Sequence, residues 1–297
     1  MLTHLHSEPK KPPRIVVMGA GGFIAGAILR RFAADGIPTL ALGRPELDLT
    51  RADAAMCLGN ELKADDTLVF ASAKAPCKDL GMLRENLIMA EAVCTALQHL
   101  PVAHVVYISS DAVYKDTHDP ITEASCAEPS SLHGAMHLTR EVALRQAFTG
   151  PLALVRPTLV YGYNDPHNGY GPNRFRRLAA AGQEIVLFGD GEEQRDHVDV
   201  EDIAELVRLI VLHQSTGVAN AVSGDVVSFR ELAEFVAADF PPPVAVRTSS
   251  RSGAMPHGGY RLFDNRGVLQ AFPDFRFKSW RDGLSKIHAR QRAVGSR

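Results

Sequence analysis

Residues 14–36, RIVVMGAGGFIAGAILRRFAADG, constrain the fold more than any other part of the chain. A short apolar run meets a glycine turn, and the turn passes directly into an apolar-periodic segment that stops at Gly36. That order predicts a buried strand followed by a helix. Gly19, Gly22 and Ala25 stand at G-x-x-G-x-x-A spacing across the junction. A glycine turn lets backbone approach a pyrophosphate, and the helix start directs free N–H groups and a positive dipole end toward it. Ala25 adds one methyl where helix and strand normally pack closely, and Gly26 beside it eases the fit. A glycine cluster alone is weak evidence; between a strand and a helix it becomes a dinucleotide-binding signal.

The same alternation continues. Residues 39–43 (TLALG), 67–72 (TLVFAS), 103–110 (AHVVYISS) and 151–162 (PLALVRPTLVYG) read as further strands, with a long helix between the second and third of these. Their apolar runs are continuous, so the sheet is expected to be parallel and covered on both faces. After Tyr161 the texture changes to a Gly/Asn/Pro-rich loop and then short mixed elements, which suggests a smaller second lobe. The expected division is a disordered tail over residues 1–13, a nucleotide-binding domain over 14–162, and a lobe over 163–297 that returns some segments to the sheet. The first thirteen residues have no apolar h-region, and no apolar run approaches the ~18 residues of a membrane span. A formal charge of −2 argues against nucleic acid or an anionic membrane as partner. Cys57, Cys77, Cys94 and Cys126 are unevenly spaced with no C-x-x-C pair, so a reduced, cytoplasmic protein is the expectation.

Arg44 follows the second strand. An acidic residue near this point would bind adenosine ribose hydroxyls, whereas an arginine suits a 2′-phosphate, so NADP is expected over NAD. Asp48 is a candidate for the adenine edge.

Taken in order, GAGGFIAG, ELDLT, NLIMAEAVCTAL, VVYISSDAVY, RPTLVYG and LFGDGEEQRDHVDVEDIA resemble the extended short-chain dehydrogenase/reductase family, in its NAD(P)-dependent nucleotide-sugar epimerase, reductase and dehydratase form. The resemblance covers residues 14–212. It implies a Rossmann-type doubly wound parallel sheet with a smaller C-terminal substrate-binding lobe, an NADP or NAD cofactor, and a nucleotide-sugar substrate. The cofactor would lie on Gly19, Gly22, Phe23, Ile24, Arg44, Asp48, Ala71, Ser72 and His137. Ser110 matches the family's catalytic hydroxyl. A homodimer paired through two helices is a further expectation of the resemblance.

The family's tyrosine and lysine, however, are absent. The pattern P-x-S-x-Y-G-x-S-K falls on PSSLHGAMH, residues 129–137, so His133 takes the tyrosine position and His137 the lysine position. Four residues apart, they share one helix face. In one reading the chemistry persists: imidazole passes a proton near neutral pH, with His133 as acid/base and His137 on the ribose. In another, hydride chemistry is lost and the protein is a catalytically silent binder of NAD(P) or a sugar nucleotide. A zinc site is disfavoured, since residue 134 is glycine rather than the glutamate of H-E-x-x-H and no third ligand is evident among His104, His167 and His197. Packed or solvated histidines complete the alternatives.

On the substrate side, the resemblance assigns the sugar-nucleotide diphosphate to Arg195, with Asn173, Arg174 and, later in the chain, Arg261 assisting; Arg251 is a weaker candidate. Asp111 belongs to the same group. Ala112 stands where dehydrating members carry a second acid, which disfavours a 4,6-dehydratase. An epimerase or keto-reductase is the activity expected.

Overall fold

The computed structural model describes residues 1–295. In chain order the strands that matter for the site are β1 (Thr3–His4), β2 (Ile15–Met18), β3 (Thr39–Leu42), β4 (Thr67–Phe70), β5 (His104–Ile108), β6 (Leu152–Pro157), β7 (Leu159–Tyr161), β8 (Ile185–Phe188), β9 (Gln194–Asp199) and β10 (Ser215–Ala221). The helices are α1 (Phe23–Ala34), α2 (Ala54–Glu61), α3 (Leu80–His99), α4 (Leu132–Ala147), α5 (Pro172–Ala180), α6 (Val200–Leu212), α7 (Phe229–Asp239), α8 (Arg266–Ala271) and α9 (Trp280–Gly295).

Among the described residues the main sheet has the order β1-β10-β6-β5-β4-β2-β3, parallel throughout except for β1. The chain runs from β2 outward to β3, then crosses back to β4 on the other side. That reversal opens a crevice above the carboxyl ends of β2 and β4, where ligands of such sheets bind. Alternate residues of each strand serve opposite faces. Ile15 and Val17 pack with Ile28 and Phe32 of α1 and Ile203 and Val207 of α6. Val16 and Met18 pack with Leu58 of α2, Val93 and Leu97 of α3 and Leu144 of α4. This two-sided burial explains why the strands read as unbroken apolar runs. A separate core, with Phe175, Leu187, Phe229, Leu232, Trp280 and Leu284, holds the region after Tyr161 together.

Two expectations need correction. The opening segment is not a disordered tail: Thr3 and His4 pair with Thr216 and Ser215 at the start of β10, and the His4 ring bonds the Ser215 hydroxyl at 2.8 Å and the Ala271 carbonyl at 2.9 Å. Nor is 151–162 one strand. β6 ends at Pro157, and after Thr158 the chain leaves the main sheet so that β7 pairs with β9, Leu159 opposite His197. The break swings β9 over the crevice.

Candidate active site

The first turn supplies the floor. Gly19 adopts φ +85, and a side chain there would set its first carbon 2.8 Å from the Ser72 nitrogen. Only glycine lets the turn lie against the loop that follows β4. Gly22 precedes α1 without any side-chain cap, so the N–H groups of the first turn stay available to an anion.

Two clefts meet over this turn. One, of ≈ 320 Å³, is lined by Gly19, Gly22, Arg44, Asp48, Ala71 and Ser72, among others. The second, of ≈ 380 Å³, includes Gly22, Phe23, Ile24, Ala71, Ser110, His133, His137 and Asn173. Both share Gly22, Ala71 and Ala73, so they form one elongated groove bent across the glycine turn. Free N–H groups at the bend make the turn an anion-binding point between the two clefts. Asn86, buried on α3, braces the loop that forms the groove's wall: it accepts from the Lys74 nitrogen at 3.0 Å and donates to the Lys74 carbonyl at 3.0 Å.

Arg44 stands at the mouth of the first cleft, 78% exposed, its Nε 3.1 Å from Asp48. The Asp48 carboxylate also accepts from the Thr50 nitrogen at 3.0 Å and hydroxyl at 2.7 Å. The Thr50 hydroxyl and then its N–H, with Arg44 adding to them, hold the Asp48 carboxyl down at about 2.

Helix α4 starts at the Ser131 cap, whose side chain accepts from the Gly134 nitrogen, and the first two turns present both imidazoles to the second cleft. Their rings stand edge to face with centroids 4.7 Å apart. The Cys77 backbone N–H donates to His133 Nδ1 at 3.3 Å. A nitrogen that accepts carries no hydrogen, so the neutral ring bears its hydrogen on Nε2. Burial lowers the His133 pKa, Asp111 opposes that, and the Arg140 charge adds to it. His137 is buried and lies well below its ordinary value, through burial first and then the charges of His133 and Arg140. Both rings are therefore neutral at ordinary pH. Ser110, two residues beyond the end of β5, accepts from the Ala112 nitrogen at 3.1 Å and donates toward Asp111 at 3.3 Å.

Two residues of this centre escaped the sequence reading. Tyr107 on β5 is fully buried and shares a 2.7 Å hydrogen bond with His137 Nδ1; burial pushes its phenol up to about 12, so it remains protonated. Arg140, one turn beyond His137, is completely buried. Its guanidinium donates to the Asn86 carbonyl at 3.0 and 2.7 Å and to the Ser72 carbonyl at 2.8 Å, and lies 5.0 Å from the Phe70 ring centroid. A guanidinium does not lose its proton in a protein, so α4 carries a fixed positive charge behind the imidazoles. The i, i+4, i+7 spacing of His133, His137 and Arg140 was the available signal.

The residues expected on the substrate divide. Asn173 lines the second cleft and is held by the Gly162 nitrogen at 3.1 Å and the Val160 carbonyl at 3.3 Å. Arg174 is exposed and does not line that cleft. Arg195 is buried, 3.2 Å from Glu193, and Arg251 approaches the same Glu193 at 3.6 Å. Arg261 is buried too, and joins Asp111 at 3.2 Å to Asp116 at 2.6 Å. Asp111, Arg195 and Arg261 are thus buried and are not among the residues lining that cleft.

The model of the NAD dependent epimerase/dehydratase family matches residues 15–223. GDP-L-fucose synthase 1 of Arabidopsis thaliana is 29% identical over 265 residues, 79% of this chain and 80% of that protein. A dTDP-4-dehydro-6-deoxy-D-allose reductase of Streptomyces bikiniensis is 28% identical over 92% of this chain and 94% of its own length. Among solved structures, a GDP-L-fucose synthetase from Naegleria fowleri bound to NADP superposes with a TM-score of 0.82 at 16% identity, covering 100% of this chain and 99% of that one. At that identity the likeness is one of fold. No helix among the described residues is long and apolar enough to cross a membrane.

Proposed function

The chain belongs to the NAD-dependent epimerase/dehydratase family, and on that premise we propose that it is an NADP-dependent keto-reductase or epimerase of a nucleotide-activated sugar. The observation that carries this reading is the imidazole pair in the cleft beside the glycine turn, with His133 Nε2–H as a donor. A nicotinamide dinucleotide bound in the groove supplies or accepts the hydride at a sugar carbon.

The protein's own groups deal with the sugar oxygen. A neutral imidazole donating from Nε2 stabilises negative charge that develops there, as does the Ser110 hydroxyl. With its Nδ1 occupied by the Cys77 N–H, His133 acts as a hydrogen-bond donor: as hydride reaches the carbonyl carbon the alkoxide oxygen takes the Nε2 proton, and the ring, left as an imidazolate near the Arg140 charge, recovers a proton from water. His137, backed by the Tyr107 hydroxyl and by the Arg140 charge, holds the ring pair neutral and lies where the nicotinamide ribose would rest. Arg44 takes the 2′-phosphate. Asn173 and Asp111 serve the sugar side, and Arg195, with Arg174 and Arg261, serves the diphosphate end.

The test is turnover of NADPH with a panel of nucleotide sugars by the wild-type protein and by His133→Ala. Loss of an acid/base group is expected to slow turnover ~10²–10⁴-fold with unchanged cofactor affinity. Full activity in His133→Ala removes the imidazole from the chemistry. A wild-type protein that binds cofactor and sugar nucleotide tightly yet never exchanges hydride is a binding protein on this scaffold.

A further inference from the structure

We infer that His197 is a sugar-binding residue, whose Nε2 accepts a hydrogen bond from a hydroxyl of the substrate's sugar ring. The inference rests on the nucleotide-sugar reading above and adds a contact that fixes which sugars fit. His197 comes to the cleft because the chain leaves the main sheet after Pro157, so that β7 draws β9 across the crevice with Leu159 opposite His197.

The orientation of the ring follows from its neighbours. Nδ1 lies 3.2 Å from the Arg195 carbonyl. A carbonyl only accepts, so Nδ1 carries the hydrogen and Nε2 carries the lone pair. Burial, aided by the adjacent Arg195 charge, holds the ring's pKa down near 3, which keeps that lone pair free of protons. The ring stands edge-on to Phe229, centroids 5.7 Å apart at 87°. A methyl placed on Gly171, another residue lining the cleft, would stand 3.9 Å from Nε2, so the nitrogen faces the Gly171 backbone at the cleft.

Of all the residues lining this cleft, His197 alone has a buried side-chain polar atom without a hydrogen-bond partner among the described residues. Buried polar groups are nearly always paired, so an orphan in a ligand cleft marks a place where the ligand brings the partner. Its sign narrows the chemistry. A lone pair repels phosphate oxygens and attracts an O–H, which selects the sugar over the diphosphate. A site of this kind discriminates against a deoxy sugar lacking that hydroxyl, because the buried acceptor is then left unpaired.

The experiment is calorimetry on the full chain saturated with NADP⁺, titrated with UDP-glucose and GDP-L-fucose and, in parallel, with UDP and GDP. His197→Phe keeps the aromatic edge on Phe229 and removes the acceptor. It should weaken the sugar nucleotides about 3–10-fold, the size of one neutral hydrogen bond, and leave UDP, GDP and NADP⁺ within about twofold. Unchanged sugar-nucleotide affinity, or an equal loss for UDP and GDP, overturns the assignment. Should His197→Phe fail to fold, ring-¹⁵N spectra of the wild type decide instead, with the signal identified by its loss in His197→Gln. Nε2 should resonate as an unprotonated nitrogen and move on adding sugar nucleotide but not UDP; a fixed resonance overturns the contact. If the wild type binds sugar nucleotides no more tightly than UDP and GDP, the nucleotide-sugar reading itself falls, which is a different result from failure of His197 alone.

Discussion

Replacing Arg44 with alanine is the most direct probe of cofactor choice, because it needs no knowledge of the sugar. Arg44 lines the first cleft and, among the described residues, its guanidinium is held by a 3.1 Å contact with Asp48. A charge-assisted hydrogen bond to a phosphate is ordinarily worth ~1.5–3 kcal/mol. At 78% exposure, solvent and salt reduce this to about 1–2 kcal/mol. The expected result is a ~5–30-fold loss of NADP⁺ affinity, with NAD⁺, which lacks the 2′-phosphate, altered by less than about twofold. Asp48 works against Arg44: its carboxyl, held down at about 2 by Thr50 and Arg44, is ionised throughout the working range and repels a neighbouring phosphate. Asp48→Asn should therefore raise NADP⁺ affinity several-fold, with NAD⁺, which carries no 2′-phosphate, changed less. Displacement of fluorescent NADPH by NADP⁺ or by NAD⁺ at low and high salt measures both, and the preference should shrink as salt rises. An NADP⁺/NAD⁺ affinity ratio that does not move in Arg44→Ala refutes the phosphate assignment.

Other outcomes concern the framework around the imidazoles. A methyl on Gly134 would collide with the Ala112 carbonyl and stand 2.7 Å from Pro129 Cβ, so Gly134→Ala should push α4 and His133 outward by about 1 Å, cutting turnover ~10²-fold while sparing NADPH binding. Glu141, wholly buried, accepts from Arg156 at 2.8 and 2.5 Å and from the Ser109 hydroxyl at 2.7 Å; Glu141→Ala strands the guanidinium and should cost ~3–5 kcal/mol in urea unfolding. His104 is buried and its pKa is lowered to about 4, so the unfolded chain takes up the proton first. Stability should be complete above about pH 6.5 and fall by up to ~3 kcal/mol as pH drops toward 4, a loss that His104→Gln reduces. Turnover should likewise be flat at neutral and alkaline pH and decline only on acidification through the lowered His133 pKa, because protonating that ring requires displacing the Cys77 N–H.

Much of the fold was legible because local signals agreed. The junction at Gly19, the helix stop at Gly36 and the apolar strands all pointed to the same parallel sheet, and α1 does end beside Gly36. What sequence missed depends on contacts between distant segments. Thr3–His4 gains its strand from β10, more than two hundred residues away. The departure of the chain after Pro157 is decided by pairing with β9, which no local pattern around LVRPTLVYG discloses. The same limit applied at the site. Ser110 and both imidazoles could be placed by motif, but the hydrogen on His133 Nε2 follows from a backbone amide at Cys77, and the lone pair on His197 from a carbonyl two residues away. Tyr107 and Arg140 join the centre only through packing, which brings them to His137 and the Ser72 loop.

The brief antiparallel hem that Thr3 and His4 sew along β10 bears on how copies of this molecule meet. An open sheet margin offers unclaimed peptide groups to any extended chain that drifts past, an invitation to aggregation. At Ser215 and Thr216 that invitation is withdrawn, and His4, fastened at both ring nitrogens, keeps the stitch in place. Among the described residues no strand pairs with the outer side of the opposite margin, Thr39–Leu42, so edge-to-edge pairing in concentrated solution should begin there.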